Sequence, residues 1–483
     1  MAQQTLNNGE SGSSFRGKLN SNFTELYPAL QQRLYDYVVW LDGTYKARNG
    51  ATGAITSNAA FHTLMNTIMG SGGSTNAPLR VAVSGSATIS GAVLVPSWTD
   101  IHVLGTITGD NTNDILLNSG YAGAGNTNIR IFGPGTLNAA STQNPYSGTQ
   151  NPIRMIGVDN LIVKGVTAIN GGTHCINIED CNNVTVDGCR IDNPGDDGIS
   201  ILRTDGFRVT NNEISGTRIA SAGSAGIEVE DASSNGLIYG NHVHDTFFGI
   251  HIVLDPGSTY GGMSNILVES NIVENTGSWA IDSLCSKTGE VNTGCSFIGN
   301  SIQDSSAGGI RYGQTTDSIC SNNTVDGCTY GIAVQPGTKR LLINQCTVRN
   351  PSERGVYIYG TPAAEATKTK DIVCKGISVY EVGSYPPTKV AFAVDEVENI
   401  MIDGTLLLDY RAFGSAQGMS IPLEIRDTTG HIVVTNTYAY GYLSFSSGNT
   451  GIIPAGTNDP IIGNATGTWF ELTATNKGVR VNS

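Results

Sequence analysis

Seven segments between residues 190 and 360 carry a Gly-Ile pair or a near relative, with the second residue at Ile199, Ile227, Ile250, Ile281, Ile310, Ile332 and Val356. The residue after each mark is, in turn, Ser200, Glu228, His251, Asp282, Arg311, Ala333 and Tyr357. Four consecutive members of that series are two carboxyls, an imidazole and a guanidinium. In a chain with 14% charged residues and 7 His, that is a dense set. Two positions further on stand Leu202, Glu230 and Val253, with Glu179 one segment earlier. Paired carboxyls can split a glycosidic bond, one protonating the leaving oxygen and the other activating a water. If successive segments stack about 4.8 Å apart, the Glu228 and Asp282 backbones lie roughly 9.6 Å apart. Inverting glycosidases hold their carboxyls about 6.5–9.5 Å apart. Glu228 and Asp282 are therefore the candidate catalytic pair, and His251 between them would tune one of them or bind a hydroxyl. The same row supports a lyase, with His251 removing the proton beside a uronate carboxyl and Arg311 neutralising that carboxyl. A third reading is a row that only faces water, in a protein that binds without cutting.

Other residues fill out a groove. Asp196 and Asp197 stand just before the Ile199 mark, and Phe248 and Trp279 just before the next marks but one and two, with Tyr330 further along. Aromatics beside carboxylates suit sugars, which offer an apolar ring face and a rim of hydroxyls. Glu230, Arg311, Asp197, Phe248 and Trp279 are the expected substrate-binding residues. The loops VLDPGSTYGGM and SLCSKTGEVNTG follow the row and would raise a wall beside it. No Cys/His spacing of a metal site occurs, and neither a metal nor another cofactor is expected.

The elements that would hold this row are repeats. NVTVDGCRIDNPGDDGISI, LIYGNHVHDTFFGIHIV, ILVESNIVENTGSWAIDSL and LLINQCTVRNPSERGVYIY align as strand, tight turn, short strand, loop, Gly-Ile and third strand. Alternate residues in each strand are apolar, the period of one buried face. A strand of four residues cannot bury that face alone, so stacked coils must share a core. Asn212, Asn241, Asn271, Asn300 and Asn323 each fall two residues before an inward Val or Ile, a column suited to left-handed turns and to amide stacking. The 61 Gly against 16 Pro fit many tight turns. All 9 Cys are expected to be reduced, buried small hydrophobes.

The ends need caps, because open strand edges aggregate. Ser57 is placed to N-cap a helix over 57–69 whose stripe is Phe61, Leu64, Met65, Ile68 and Met69. Upstream, Phe15, Leu19, Phe23, Leu26 and Leu30 repeat at coiled-coil steps, and a helix restarting at Pro28 would run through PALQQRLYDYVVWLDG to Gly43. After residue 360 the repeats become irregular, and residues beyond about 447 alternate weakly. The net charge of −14 argues against nucleic acid and anionic membranes. No apolar run reaches membrane-spanning length, and the start lacks the features of a signal peptide, so synthesis in a cytoplasm and release by another route, such as lysis, are expected.

Two resemblances join these observations. NNGESGSSFRGKLNSNFTELY resembles the N-terminal segment of many phage tail proteins, and the helix, Gly break, strand and Val-Pro of 57–96 resemble the opening of pectate-lyase-like β-helices. Together they imply a phage tail spike or tail fibre, commonly a homotrimer, that docks on the tail or baseplate and degrades a host capsule or O-antigen. The Asp196-Asp197 pair also resembles polygalacturonase-type β-helices, but their Gly-His-Gly and Arg-Ile-Lys motifs are absent, so that activity is not carried over. The implied fold is all-β: a right-handed parallel β-helix of three strands per coil, with a short N-terminal α-helical segment and a small C-terminal β cap. The expected domains are a docking and trimerisation segment over 1–50, the β-helix over 51–445 and a β cap over 446–483. The expected location is the virion, without insertion into a membrane.

Overall fold

The computed structural model describes residues 34–70, 72–110, 112–140, 150–217, 223–361, 367–380, 390–408, 421–426, 428–435, 437–439, 442–445 and the short strands 452–454, 470–471 and 480–481. Its body is a parallel β-helix with three sheets of 19, 14 and 16 strands. Each coil gives one strand to each sheet. The first sheet takes long strands such as Asn182–Asp187, Asp205–Thr210 and Ser234–Tyr239. The second takes three-residue strands such as Glu213–Ser215 and His242–His244, whose central Ile214 and Val243 have no exposed surface. The third takes the strands that begin near the Gly-Ile marks.

Those marks lie above one another. Ile199 registers with Ile227, Ile227 with Ile250, Ile250 with Ile281, Ile281 with Ile310, Ile310 with Ile332 and Ile332 with Val356. All seven are fully buried in one continuous core. The glycine before the mark is needed for close approach, since a Cβ at Gly249 would meet the Ala280 carbonyl and the Val273 side chain. There the chain turns the corner between two sheets.

The five asparagines form the expected column. The side-chain oxygen of each of Asn241, Asn271, Asn300 and Asn323 accepts from both the backbone and the side-chain amide of the asparagine one coil before, at 2.9–3.0 Å. The left-handed angle belongs to the residue before each of them, Asn211, Gly240, Ser270, Gly299 and Asn322, and not to the column itself. All nine cysteines are free and buried.

At the front, two expectations need correction. Tyr37–Asp42 is a strand and not the end of a helix; it pairs antiparallel with Thr44–Asn49 and parallel with the first coil strand, Leu79–Val83. Val38 and Val39, buried, are worth more in a strand paired on both sides than in a solvated helix. The cap helix runs Phe61–Met69, buries Phe61, Leu64, Met65 and Met69, and starts at Ala60 without a side-chain cap. Ser57 lies in the strand Ile55–Asn58 instead, and Asn58 Oδ1 accepts from the Ala60 amide at 2.8 Å. The heptad-like residues 15–30 lie outside the described residues, as does most of 446–483. Coils stay in register well past residue 360, through Thr369–Lys375, Val397–Asp403 and Thr429–Thr435, with one shift between Glu398 and Ile400. Beyond them, Phe470–Glu471 pairs antiparallel with Tyr442–Leu443.

Candidate active site

The row after the marks is a true ladder on the third sheet: Ser200 registers with Glu228, then His251, Asp282, Arg311, Ala333 and Tyr357. These side chains point away from the core but are not solvated. Glu228 is 6% exposed, His251 5% and Asp282 0%. Asp282 is enclosed by its neighbours: His251 Nδ1 lies 2.6 Å from Oδ1, and Arg311 donates to Oδ2 through Nε at 3.1 Å and through Nη2. Burial alone would raise the Asp282 carboxyl, yet the charges of His251 and Arg311 and their hydrogen bonds outweigh it and hold it below its ordinary value. Asp282 therefore has neither the exposure nor the protonation of a catalytic acid, and its enclosure by His251 and Arg311 leaves the base as the one role of the expected Glu228–Asp282 pair that its charge fits. The lyase roles of His251 and Arg311 also lose their support, because both groups are occupied by Asp282.

Phe248 and Trp279 close over this triad. The Phe248 ring stacks on His251 at 4.1 Å and 8°, and the Arg311 guanidinium lies 5.2 Å from the Trp279 ring centre. At 8% and 7% exposure they are a roof for the ions and not open sugar platforms, which corrects their expected role. Trp279 lies across Gly308, where a Cβ would fall inside its ring, and stacks towards Tyr330 at 6.1 Å.

A different set of carboxyls gathers one coil earlier. Asp197 is fully buried; its Oδ1 accepts from the Ala225 amide at 2.8 Å. His174 Nδ1 sits 3.0 Å from Asp197 Oδ2, a charge contact in which neither atom meets hydrogen-bond geometry. Burial would lower the His174 pKa, but the contact with Asp197 and its charge raise it. Glu228 is pushed well above the usual carboxylate range by burial, then by the charges of Asp197 and Glu230 and by its contact with Asp197. Burial and then the Asp197 charge push Asp196 up to about 7. Glu230 is also pushed up to about 7, by burial and then by Asp197, while a hydrogen bond with Glu228 works the other way. Asp197, Glu228 and Glu230 thus make a cluster of interacting carboxyls whose burial falls from Asp197, fully buried, to Glu230, half-buried.

Glu230 lines a cavity of about 510 Å³ together with Asp231, Val253, Asp255 and the turn Pro256, Gly257 and Ser258. That volume falls within the roughly 300–1,000 Å³ of small-molecule sites. The lining turn belongs to the loop expected to form a wall, and Ser258 Oγ fastens it by donating to Asp231 Oδ1 at 2.6 Å. Sequence reasoning missed Asp231, Asp255 and His174. His174 was detectable, because Asn151, His174 and Asp197 all stand two residues before a third-sheet Ile, a second column parallel to the first. Asp231 and Asp255 lie where strands end, and no period marks them. Among the described residues no group of three or more His, Cys, Asp or Glu is placed to hold a metal ion, and no helix is long and apolar enough to cross a membrane.

A family model described as "Right handed beta helix region" matches residues 115–260, 151–301 and 259–385, which together cover more than half of the chain. No curated protein matches the sequence. Among solved structures the chain is similar to the pre-mature bacteriophage phi29 gene product 12, at 15% identity and a TM-score of 0.58, over 79% of this chain and 54% of that one. It thus spans about half the length of that relative. It is also similar to the tailspike protein of E. coli bacteriophage HK620 in complex with a pentasaccharide, at 13% identity and a TM-score of 0.55, over 80% of this chain and 76% of the other. At these identities the likeness is one of fold.

Proposed function

This chain belongs to the right-handed β-helix family, and from that premise we propose that it is a phage tail spike that binds a host surface polysaccharide and cleaves it by glycoside hydrolysis. The observation that carries the reading is the cluster of buried carboxyls that reaches the cavity, where Glu230 is half-buried and pushed up to about 7. A carboxyl that keeps its proton near neutrality is the group a general acid requires. Glu230 protonates the glycosidic oxygen as the bond breaks. Asp255, on the same cavity, takes the proton of the attacking water. Glu228 and Asp197 are positioning residues, since they act on the bond only through Glu230. His251, Asp282 and Arg311 hold the ladder beneath Phe248 and Trp279. Hydrolysis is favoured over elimination because the histidine and arginine that a lyase would use are engaged by Asp282. The fold likeness to an oligosaccharide-bound tailspike supports the choice of a glycan as ligand.

The same reading places the protein in the virion as a homotrimer that attaches to the tail or baseplate through residues 1–50. Light scattering on the purified protein then gives three times 50.6 kDa. The decisive assay incubates the protein with purified host capsule or O-antigen and follows release of oligosaccharides. Glu230→Gln is expected to lower the cleavage rate on the order of 100-fold or more while binding is kept. Cleavage at the wild-type rate removes Glu230 from the chemistry. Tight binding with no products identifies a non-enzymatic adhesin, and products absorbing as unsaturated uronates identify a lyase.

A further inference from the structure

We propose that the cavity at Glu230 accepts a glycan segment that carries no anionic group and turns away segments bearing uronate, phosphate or sulfate. This rests on the glycan-binding reading above and adds the substrate class. Three of the cavity's lining residues, Glu230, Asp231 and Asp255, are acidic, and none is basic. Asp197 adds another carboxyl behind that wall, while Glu228, pushed up, keeps its proton and adds no charge. A polysaccharide anion is held where an Arg or Lys can pair with it, and Arg154, Arg203, Lys287 and Arg311, on this sheet and the loops after it, already have partners. Arg203 bonds to Glu179 and Asp180, and its guanidinium lies 4.8 Å from the Tyr260 ring centre. Lys287 donates to the Tyr260 carbonyl at 2.6 Å and sits 3.9 Å from Glu290. Arg154 lies between Asp114 and Glu179, at 3.8 and 3.9 Å. Arg311 and His251 are taken by Asp282.

An anionic sugar entering here meets the Asp231 and Asp255 carboxylates and no cation among the lining residues. The protein's net charge of −14 adds to the barrier at long range. One like-charge pair at contact range, screened as it is near a protein surface, weakens binding on the order of 100-fold. A neutral sugar pays no such penalty, because its hydroxyls donate hydrogen bonds to the same carboxylate oxygens.

Calorimetry with the full-length protein tests this, using two panels of oligosaccharides matched in length, one of neutral and acetamido sugars and one containing uronates. The neutral panel is expected to contain binders whose affinity barely changes with salt. The uronate panel is expected to bind at least about 100-fold more weakly and to gain affinity as salt screens the repulsion. Asp231→Asn is expected to narrow the gap several-fold, and the wild-type comparison stands if that variant fails to fold. Preference for the uronate panel overturns the proposed substrate class and leaves glycan binding intact. Binding of neither panel, nor of host polysaccharide, overturns glycan binding itself and the inference with it.

Discussion

Glu230 and Asp282 project from the same sheet of the helix, yet their surroundings drive their protons in opposite directions. Asp282 has the Arg311 guanidinium and the His251 ring within bonding distance and stays ionised, whereas Glu230 has carboxyls behind it and holds its proton. Truncation of Asp282 to Ala should leave the largely buried Arg311 guanidinium without its counter-charge and cost about 3–5 kcal/mol, measurable by denaturant unfolding. The pH dependence differs in sign between the two groups. The Asp282 contribution is present above its unfolded value of about 4 and is lost as the pH falls through its lower folded value. For Glu230 and Asp196 the folded values of about 7 exceed the unfolded ones, so their contribution is present below about pH 4 and is lost as the pH rises towards 7. Unfolding titrations should therefore show wild type losing stability between about pH 4 and 7 relative to Glu230→Gln. Cleavage should decline above an apparent pKa near 7, a value that belongs to the coupled carboxyls together. At this scale the sequence disclosed which residues share a row. It did not disclose which are enclosed, because enclosure depends on Phe248 and Trp279 folding over from a neighbouring column.

Elements were more legible. The Gly-Ile marks and the asparagine column both report a backbone constraint that recurs once per coil, and recurrence is visible in a single sequence. The strand at Tyr37–Asp42 was not, because nothing local distinguishes an apolar helix end from a strand whose partner, Leu79–Val83, lies some forty residues on. The Trp279 roof depends in turn on a glycine in the next coil. Gly308→Ala would place a methyl within the indole and expel it from over Arg311. The expected cost is about 1–3 kcal/mol of stability, with a shift in tryptophan fluorescence marking the displaced ring.

For the molecule as a whole, one core runs from the cap helix through the last described coils. A solenoid of this kind couples each coil mainly to its two neighbours. The burial of all nine thiols offers a probe of that continuity. In native buffer a water-soluble thiol reagent should label none of them, and in denaturant it should label nine. Partial labelling of the native protein would locate coils that open independently of the rest.

The asparagine column also has a polarity. Each amide oxygen accepts from the earlier coil, while its NH2 gives one hydrogen towards the later coil and the other back to a backbone carbonyl of the coil before, Val186, Val209, Ile238, Val268 or Phe297, so it is the oxygens that all face one way along the axis. Such an array must begin and end somewhere, and both terminal positions are occupied by sulfur. Cys189 offers its backbone amide to Asn212, and Cys346 receives only a long contact from Asn323. A thiol is polarisable and forgiving as donor or acceptor, so the array can stop at either end without stranding a strong hydrogen-bonding group in the interior.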